Sequence, residues 1–247
     1  MYNPPKLIGH RGVKDLSPEN TLNSIQLAFK LGLKWIEVDV KISKDLIPIL
    51  LHDDILDRTT NGKGLPIDYN YEDLKKLDAG SFYYNYSTKI YIPTLNEVLS
   101  FCKKNDINLN IELKPNYGFE NQNVNAIAKL LKCFNFTNQF YFSSFDWNSI
   151  ILMKNLLPDA NYGLLIDEFS QNNSLKNVID VCNKFKFSSC GFNIKIINSN
   201  VISEMKANNL IIAVYSEDNL KPQKVKELWL NGVNSIFIND PSKFKIS

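Results

Sequence analysis

The chain has 247 residues, 44% of them hydrophobic and 12% aromatic, which is enough apolar material for a sizeable core. That length suits one α/β barrel as well as two smaller domains. Its 28 basic and 26 acidic residues are well mixed and leave a net charge of +2, so no global field favours nucleic acid or an anionic membrane. Cys102, Cys133, Cys182 and Cys190 form no C-x-x-C pair and have no histidine at metal-ligand spacing, so they read as buried reduced thiols. The start, Met1-Tyr2-Asn3-Pro4-Pro5-Lys6, leads straight into a short apolar strand and offers no secretory h-region. No stretch approaches the ~18 uninterrupted apolar residues of a membrane span. The expectation is a soluble cytoplasmic protein with no stable membrane insertion.

In chain order, the pattern predicts a strand over 6–9, a helix over 20–31 and a strand over 35–39. Residues 40–52 then run out, turn near Lys44-Asp45 and return. This predicts a hairpin extending beyond the strand, with His52 back at the level of Asp39. Residues 53–93 follow as an excursion rich in tyrosine, with turn chemistry at Asn61-Gly62-Lys63-Gly64. Beyond it come helix 95–104, strand 108–113, helix 124–134, strand 140–143, helix 147–156 and strand 162–166. Helix 175–185, strand 189–192, helix 200–208, strand 210–214, helix 221–230 and strand 235–238 complete the chain, with a final helix missing or very short. Eight strands separated by helices are the count of a (β/α)8 TIM-type barrel, here expected as one domain over 1–247 with a capping insertion at 53–93. A doubly wound open sheet also alternates, but G-x-G-x-x-G is absent.

The chain has only two histidines, His10 and His52, and each directly follows a predicted strand. Two imidazoles titrating near neutrality suit phosphoryl chemistry, one taking a proton from the nucleophile and the other giving one to the leaving oxygen. Glu37 and Asp39 stand two apart on one strand and so share a face, while Ile36, Val38 and Val40 face the other way. Glu112, at the end of the next barrel strand, follows the same alternation. Three inward carboxylates at neighbouring strand ends make a hard oxygen site for one divalent cation, Mg²⁺ or Ca²⁺. An ion-pair network with Arg11 and Lys114 is the alternative, although two cations leave three anions short of compensation. With a cation bound, Arg11 and Lys114 become phosphate ligands, Arg by its fork and Lys as a point charge.

These residues lie in blocks that resemble the glycerophosphodiester phosphodiesterase family over nearly the whole chain. The first is His10-Arg11-Gly12 with Pro18-Glu19-Asn20-Thr21. The second is Glu37-Val38-Asp39, then Ile49-Leu50-Leu51-His52-Asp53. The third runs Leu56-Asp57-Arg58-Thr59-Thr60-Asn61-Gly62-Lys63-Gly64, through Leu77-Asp78-Ala79-Gly80-Ser81, to Ile92-Pro93-Thr94-Leu95. The fourth is Asn110-Ile111-Glu112-Leu113-Lys114. The resemblance implies catalytic roles for His10 and His52 and metal ligation by Glu37, Asp39 and Glu112. It also implies phosphate contacts from Arg11 and Lys114 and a capping role for the excursion. Ser143-Ser144-Phe145 is similar to a further family block, with Phe145 as a wall of the glycerol pocket. Tyr215-Ser216-Glu217-Asp218 departs from the family's usual Trp-Thr-x-Asn. An aromatic survives at Tyr215 for substrate binding, and the added negative charge bears on the leaving alcohol. The implied activity is metal-dependent hydrolysis of a small-molecule glycerophosphodiester to sn-glycerol 3-phosphate and an alcohol. Three other readings fit less well. A phospholipase D-like lyase of the secreted kind would show a signal and disulfides. A silent phosphate-binding barrel would lack one of the five core residues, and an amidohydrolase would want a His-x-His pair.

Overall fold

The computed structural model describes residues 4–134, 140–171 and 173–244; residues 1–3, part of the N-terminal stretch weighed above, lie outside them. The chain opens with β1 (Leu7–Gly9), α1 (Leu22–Lys30), β2 (Trp35–Ile42) and β3 (Pro48–Leu50). The excursion holds two short helices, α2 (Tyr71–Leu74) and α3 (Ser81–Tyr84). Regular alternation then resumes with α4 (Leu95–Lys104), β4 (Asn108–Leu113), α5 (Glu120–Phe134), β5 (Phe140–Ser144), α6 (Trp147–Leu156) and β6 (Asn161–Ile166). It continues through α7 (Leu175–Phe185), β7 (Ser189–Asn193), α8 (Ser199–Ala207), β8 (Ile211–Tyr215), α9 (Pro222–Asn231) and β9 (Ser235–Ile238). All strands but β3 are parallel, and β1 closes the ring by pairing with β2 on one side and β9 on the other. The architecture is a (β/α)8 barrel.

Strand alternation sorts the side chains as the sequence pattern requires. Ile36, Val38, Val40, Ile111 and Phe142 point outward and are fully buried under the helix layer, where each contributes roughly 1.5–3 kcal/mol of apolar burial. On the inner face, Ile8, Ala213 and Phe237 form a separate apolar cluster. Glu37, Asp39 and Glu112 also point inward, with Asp39 directly opposite Glu112.

Some boundaries differ from the sequence expectation, each for a local reason. Helix α1 begins at Leu22, not residue 20, because Asn20 has φ 55° and Thr21 serves as N-cap, accepting from the Ser24 amide. The expected hairpin is present: β2 runs on to Ile42, and β3 pairs antiparallel with its outer half, Val40 opposite Leu50 and Ile42 opposite Pro48. The Leu51 amide donates to the Asp39 carbonyl, which returns His52 to the level of Asp39. After β9 the described residues hold only a 3₁₀ turn, Pro241–Lys243, capped by Asp240. Cys133 is exposed, against the expectation of four buried thiols, because it lies off the buried stripe of α5; Cys102, Cys182 and Cys190 are buried, and all four are free. No helix among the described residues is long and apolar enough to cross a membrane.

The excursion packs around its own small core of Ile49, Leu51, Leu56, Tyr71, Leu74, Ala79 and Ile92. It is tied to the barrel at the start of α4. There Thr94 and Glu97 form a reciprocal capping box, and Glu97 also accepts from the hydroxyls of Tyr71 and Tyr91 at 3.2 and 2.8 Å. That anchorage holds the excursion beside the strand ends that carry the acidic and histidine side chains.

Candidate active site

Strand β1 ends in a tight turn that sets two site residues at once. Arg11 (φ 51°) and Gly12 (φ 85°) both take left-handed backbone, and a Cβ at Gly12 would sit 2.4 Å from Ser24 Oγ, so only glycine fits. The turn aims the Arg11 amide at Glu37, whose Oε2 accepts it at 2.8 Å. Asn20, also in left-handed backbone, grips Asp39 twice. Its Nδ2 donates to Asp39 Oδ2 at 2.8 Å, and its Oδ1 accepts the Asp39 amide at 3.1 Å.

Glu37, Asp39 and Glu112 converge as the sequence pattern predicts. Each offers a carboxylate oxygen within 4.8 Å of the other two, and all three residues are buried. Their compensation is unequal. Asp39 lies 3.4 Å from Arg11 Nε and 3.6 Å from Lys114 Nζ, and Glu112 lies 3.1 Å from Lys114 Nζ. Burial would raise Asp39, but Lys114 and Arg11 outweigh it and hold its carboxyl below the usual range. Glu37 is pushed well up, first by burial and then by Asp39 and Glu112, and its Oε1 is buried without a partner. Glu112 is raised by burial, with Lys114 opposing.

Both histidines present one ring nitrogen to the cleft because the other is held. His10 Nδ1 lies 2.7 Å from Asn239 Oδ1. Asn239 Nδ2 donates to the Glu217 carbonyl, so the amide oxygen must face the ring, and His10 carries its proton on Nδ1. Burial, aided by Arg11, brings the His10 pKa down to about 3, so the ring is neutral with a lone pair on Nε2. His52 Nδ1 lies 2.7 Å from Asp53 Oδ1. Its pKa is also lowered, chiefly by burial, while Asp39 pulls the other way. Asp53 is held low by hydrogen bonds from Arg58.

These side chains line one cleft of about 620 Å³, a size suited to a small ligand. Arg11 and Lys114 line it, both already in ion pairs with carboxylates. Phe145 and Tyr215 form the far wall, edge to face at 5.7 Å, and Lys114 Nζ lies 5.6 Å from the Phe145 ring centre. Tyr215 donates to Asp167 at 3.0 Å and is raised by burial and by that carboxylate. All nine residues singled out from the sequence thus meet in or immediately beneath one cleft.

Comparison with known proteins gives the family. Residues 10–243 match the model of the glycerophosphoryl diester phosphodiesterase family. The chain belongs to that family of hydrolases. A glycerophosphodiester phosphodiesterase of Bacillus altitudinis is 30% identical over 96% of both chains. One from Caldanaerobacter subterraneus subsp. tengcongensis is 36% identical over 64% of this chain and 65% of its own length. Among solved structures, a phosphodiesterase of Oleispira antarctica in complex with the product sn-glycerol-3-phosphate superimposes with a TM-score of 0.89 at 31% identity, covering 97% of this chain and 94% of that one.

Within this family frame, several neighbours of the site had no role assigned from sequence. Asn20 and Asn239 are uncharged and lie off the strand faces, so neither alternation nor charge singles them out. Asp53 closes the quoted block that ends in His52-Asp53, but nothing in that block says that its carboxylate holds the ring. Glu19 and Arg58 stand in the quoted blocks, but nothing in their spacing says that they meet, at 2.7 and 2.8 Å.

A divalent cation fits the residues present. Around the three-carboxylate cluster, Glu19, Glu37, Asp39, Asp53 and Glu112 pair, among the described residues, only with Arg11, Arg58 and Lys114 and the neutral His52, which leaves two negative charges over. The further cleft residues Lys14, Lys195, Asp167 and Glu217 cancel among themselves. The orphaned Glu37 Oε1 and the all-oxygen donor set suit a hard cation.

Proposed function

We propose that this chain is a cytoplasmic, metal-dependent enzyme that hydrolyses glycerophosphodiesters to sn-glycerol 3-phosphate and an alcohol by two-histidine acid and base catalysis. The observation that carries the reading is convergence. Two imidazoles with their Nδ1 atoms engaged, an only partly compensated three-carboxylate cluster and two cationic side chains line or underlie one cleft. The sn-glycerol-3-phosphate held by the Oleispira antarctica relative supports the choice of substrate class.

Glu37, Asp39 and Glu112 would hold Mg²⁺ or Ca²⁺, which supplies Lewis-acid charge against the phosphoryl oxygens. Arg11 and Lys114 bind the phosphodiester and offset the charge that develops as the bond to the leaving oxygen breaks. Phe145 and Tyr215 wall the glycerol end of the cleft. His10, neutral and backed only by an amide, accepts the proton of the attacking oxygen at Nε2. His52 is backed by the Asp53 carboxylate, which works against the lowering by burial, a support that His10 lacks, so His52 is the ring that delivers the proton to the departing alkoxide.

The test is an assay of purified protein on glycerophosphocholine and glycerophosphoethanolamine, in chelator and with Mg²⁺ or Ca²⁺ restored. His10→Ala and His52→Ala should each lower kcat by roughly 10²–10⁴-fold. A nitrophenyl ester, whose leaving group needs no protonation, should rescue His52→Ala and not His10→Ala. Full turnover in excess chelator would overturn the metal role, and rescue of His10→Ala alone would reverse the two histidine roles.

A further inference from the structure

The excursion contributes a guanidinium that the catalytic scheme above does not use. Arg58 Nε and Nη2 donate to Asp53 Oδ2 and Oδ1 at 2.6 and 2.8 Å. Its Nη1 and its second Nη2 proton donate to Glu19 Oε2 and Oε1 at 2.8 and 2.7 Å. Four of the five N–H donors of one planar group are therefore spent on two carboxylates, one fork for each. Both carboxylates have a second task. Asp53 Oδ1 accepts from His52 Nδ1 at 2.7 Å, and Glu19 Oε1 accepts from Arg11 Nη1 at 2.9 Å. The result is an unbroken relay, His52–Asp53–Arg58–Glu19–Arg11, with Arg58 at its centre.

The loop that carries Arg58 is braced for this purpose. The Leu56 amide donates to the Gly64 carbonyl, the Gly64 amide donates to the Asp57 carboxylate at 2.9 Å, and the buried Thr60 hydroxyl donates to the Leu56 carbonyl at 2.8 Å. Leu56 itself is sealed in the core of the excursion. The guanidinium thus rides on a loop closed upon itself. An exposed arginine ordinarily contributes little, but paired forks within a network are the exception.

We propose that Arg58 is a positioning residue that locks the catalytic pair His52 and Arg11 from the excursion, without touching substrate. By holding the Asp53 carboxylate in one plane, it fixes His52 as the Nδ1–H tautomer and turns Nε2 to the cleft. By holding Glu19, it fixes the reach of the Arg11 fork. Without Arg58, the Asp53 and Glu19 carboxylates lose their shared cation and repel each other, and His52 is free to exchange tautomers. Lysine cannot substitute, because a single ammonium cannot present two forks. The excursion is then part of the active site as well as its cap.

The kinetic part of this inference rests on the phosphodiesterase reading; the tautomer part does not. The protein has only two histidines, so ¹⁵N-histidine NMR of the full chain, at a pH where both rings are neutral, resolves each ring once a His10→Gln variant assigns them. In the parent protein, His52 is expected to show a single Nδ1–H tautomer; a predominant Nε2–H form would overturn the proposal before any Arg58 variant is made. Arg58→Met and Arg58→Lys should both give a mixture of tautomers and lower kcat by about 10²-fold, the scale of a misplaced catalytic group. Arg58→Lys should do so with a melting temperature near that of the parent, which separates positioning from folding. A single Nδ1–H form together with near-parental kcat in Arg58→Lys would refute the role. A parent protein that turns over no glycerophosphodiester would defeat the functional reading, yet the His52 spectra would still decide the role of Arg58.

Discussion

Replacing Glu37 by Gln is expected to stabilise the chelated protein while weakening its hold on a divalent cation. Asp39 has Arg11, Lys114 and Asn20 as partners, and Glu112 has Lys114. Glu37 has only the Arg11 amide, with no ion pair of its own among the described residues and one orphaned oxygen. Its carboxylate oxygens lie within 4.8 Å of the other two acids. Two like charges at that distance repel by about 3 kcal/mol at an effective dielectric of about 20. Arg11 and Lys114 offset part of this, which leaves a net gain of about 1–3 kcal/mol for the neutral isostere. Gln keeps an oxygen for the Arg11 amide and turns an N–H₂ donor toward the neighbouring acids. In a chain of this size the gain corresponds to a rise in melting temperature of roughly 2–4 °C per kcal/mol. The pH dependence has a definite sign. The folded pKa of Glu37 is raised, so the folded state binds the proton more tightly, and the chelated parent loses stability as pH climbs from the unfolded value through the folded one. Glu37→Gln lacks that loss, so the two melting curves should coincide in acid and separate as pH rises. Glu112, also raised, keeps part of the slope in both proteins. Thermal melts in chelator across a pH series, repeated in excess Mg²⁺ or Ca²⁺, test the argument. With cation present the order should reverse. A Glu37→Gln protein that melts at or below the parent in chelator at alkaline pH would refute the reasoning.

Two further outcomes follow from neighbouring contacts. Asn239→Ala removes the amide that fixes the His10 tautomer; steady-state kinetics should show kcat down by about 10²-fold with KM nearly unchanged. Asp78 accepts from the amides of Gly80, Ser81 and Thr88 and from the Thr88 hydroxyl, pinning residues 78–88 of the excursion. Asp78→Ala should cost about 1–3 kcal/mol locally, and limited proteolysis should cut within that segment while the barrel stays intact. Burial works against the Asp78 charge, but its donors outweigh burial and hold the carboxyl below the usual range. The anchor is therefore kept above the ordinary aspartate range and lost as pH falls through the lowered value, so the parent should become sensitive at the same bonds in acid.

The barrel was legible because its signal is periodic and repeated. A strand that buries one face under helices and fills a barrel with the other must alternate, and Ile36, Val38 and Val40 against Glu37 and Asp39 is that alternation written out. The acids stood out for the same reason, since carboxylates on an inward face demand compensation. The histidines stood out because there are only two and both end strands. Element ends were less legible because they are set by single contacts. Nothing in the composition of 20–22 says that Asn20 leaves the helix to hold Asp39. The same limit hides the residues that orient the site. Asn20 and Asn239 act through amides whose direction is fixed only by a second, distant partner, the Asp39 amide in one case and the Glu217 carbonyl in the other. Arg58 is the extreme example. On its own it is a half-exposed arginine in a polar loop, and the block in which it stands says nothing of what it meets. Its meaning arises when the excursion folds back and one guanidinium meets two carboxylates from different parts of the chain, Asp53 beside it and Glu19 from the turn after β1. Residues that touch the phosphodiester have chemistry visible in their own side chains, whereas residues that hold them in place have chemistry only in pairs. For that reason the cleft could be read one strand at a time, and the relay that steadies it required the closed fold.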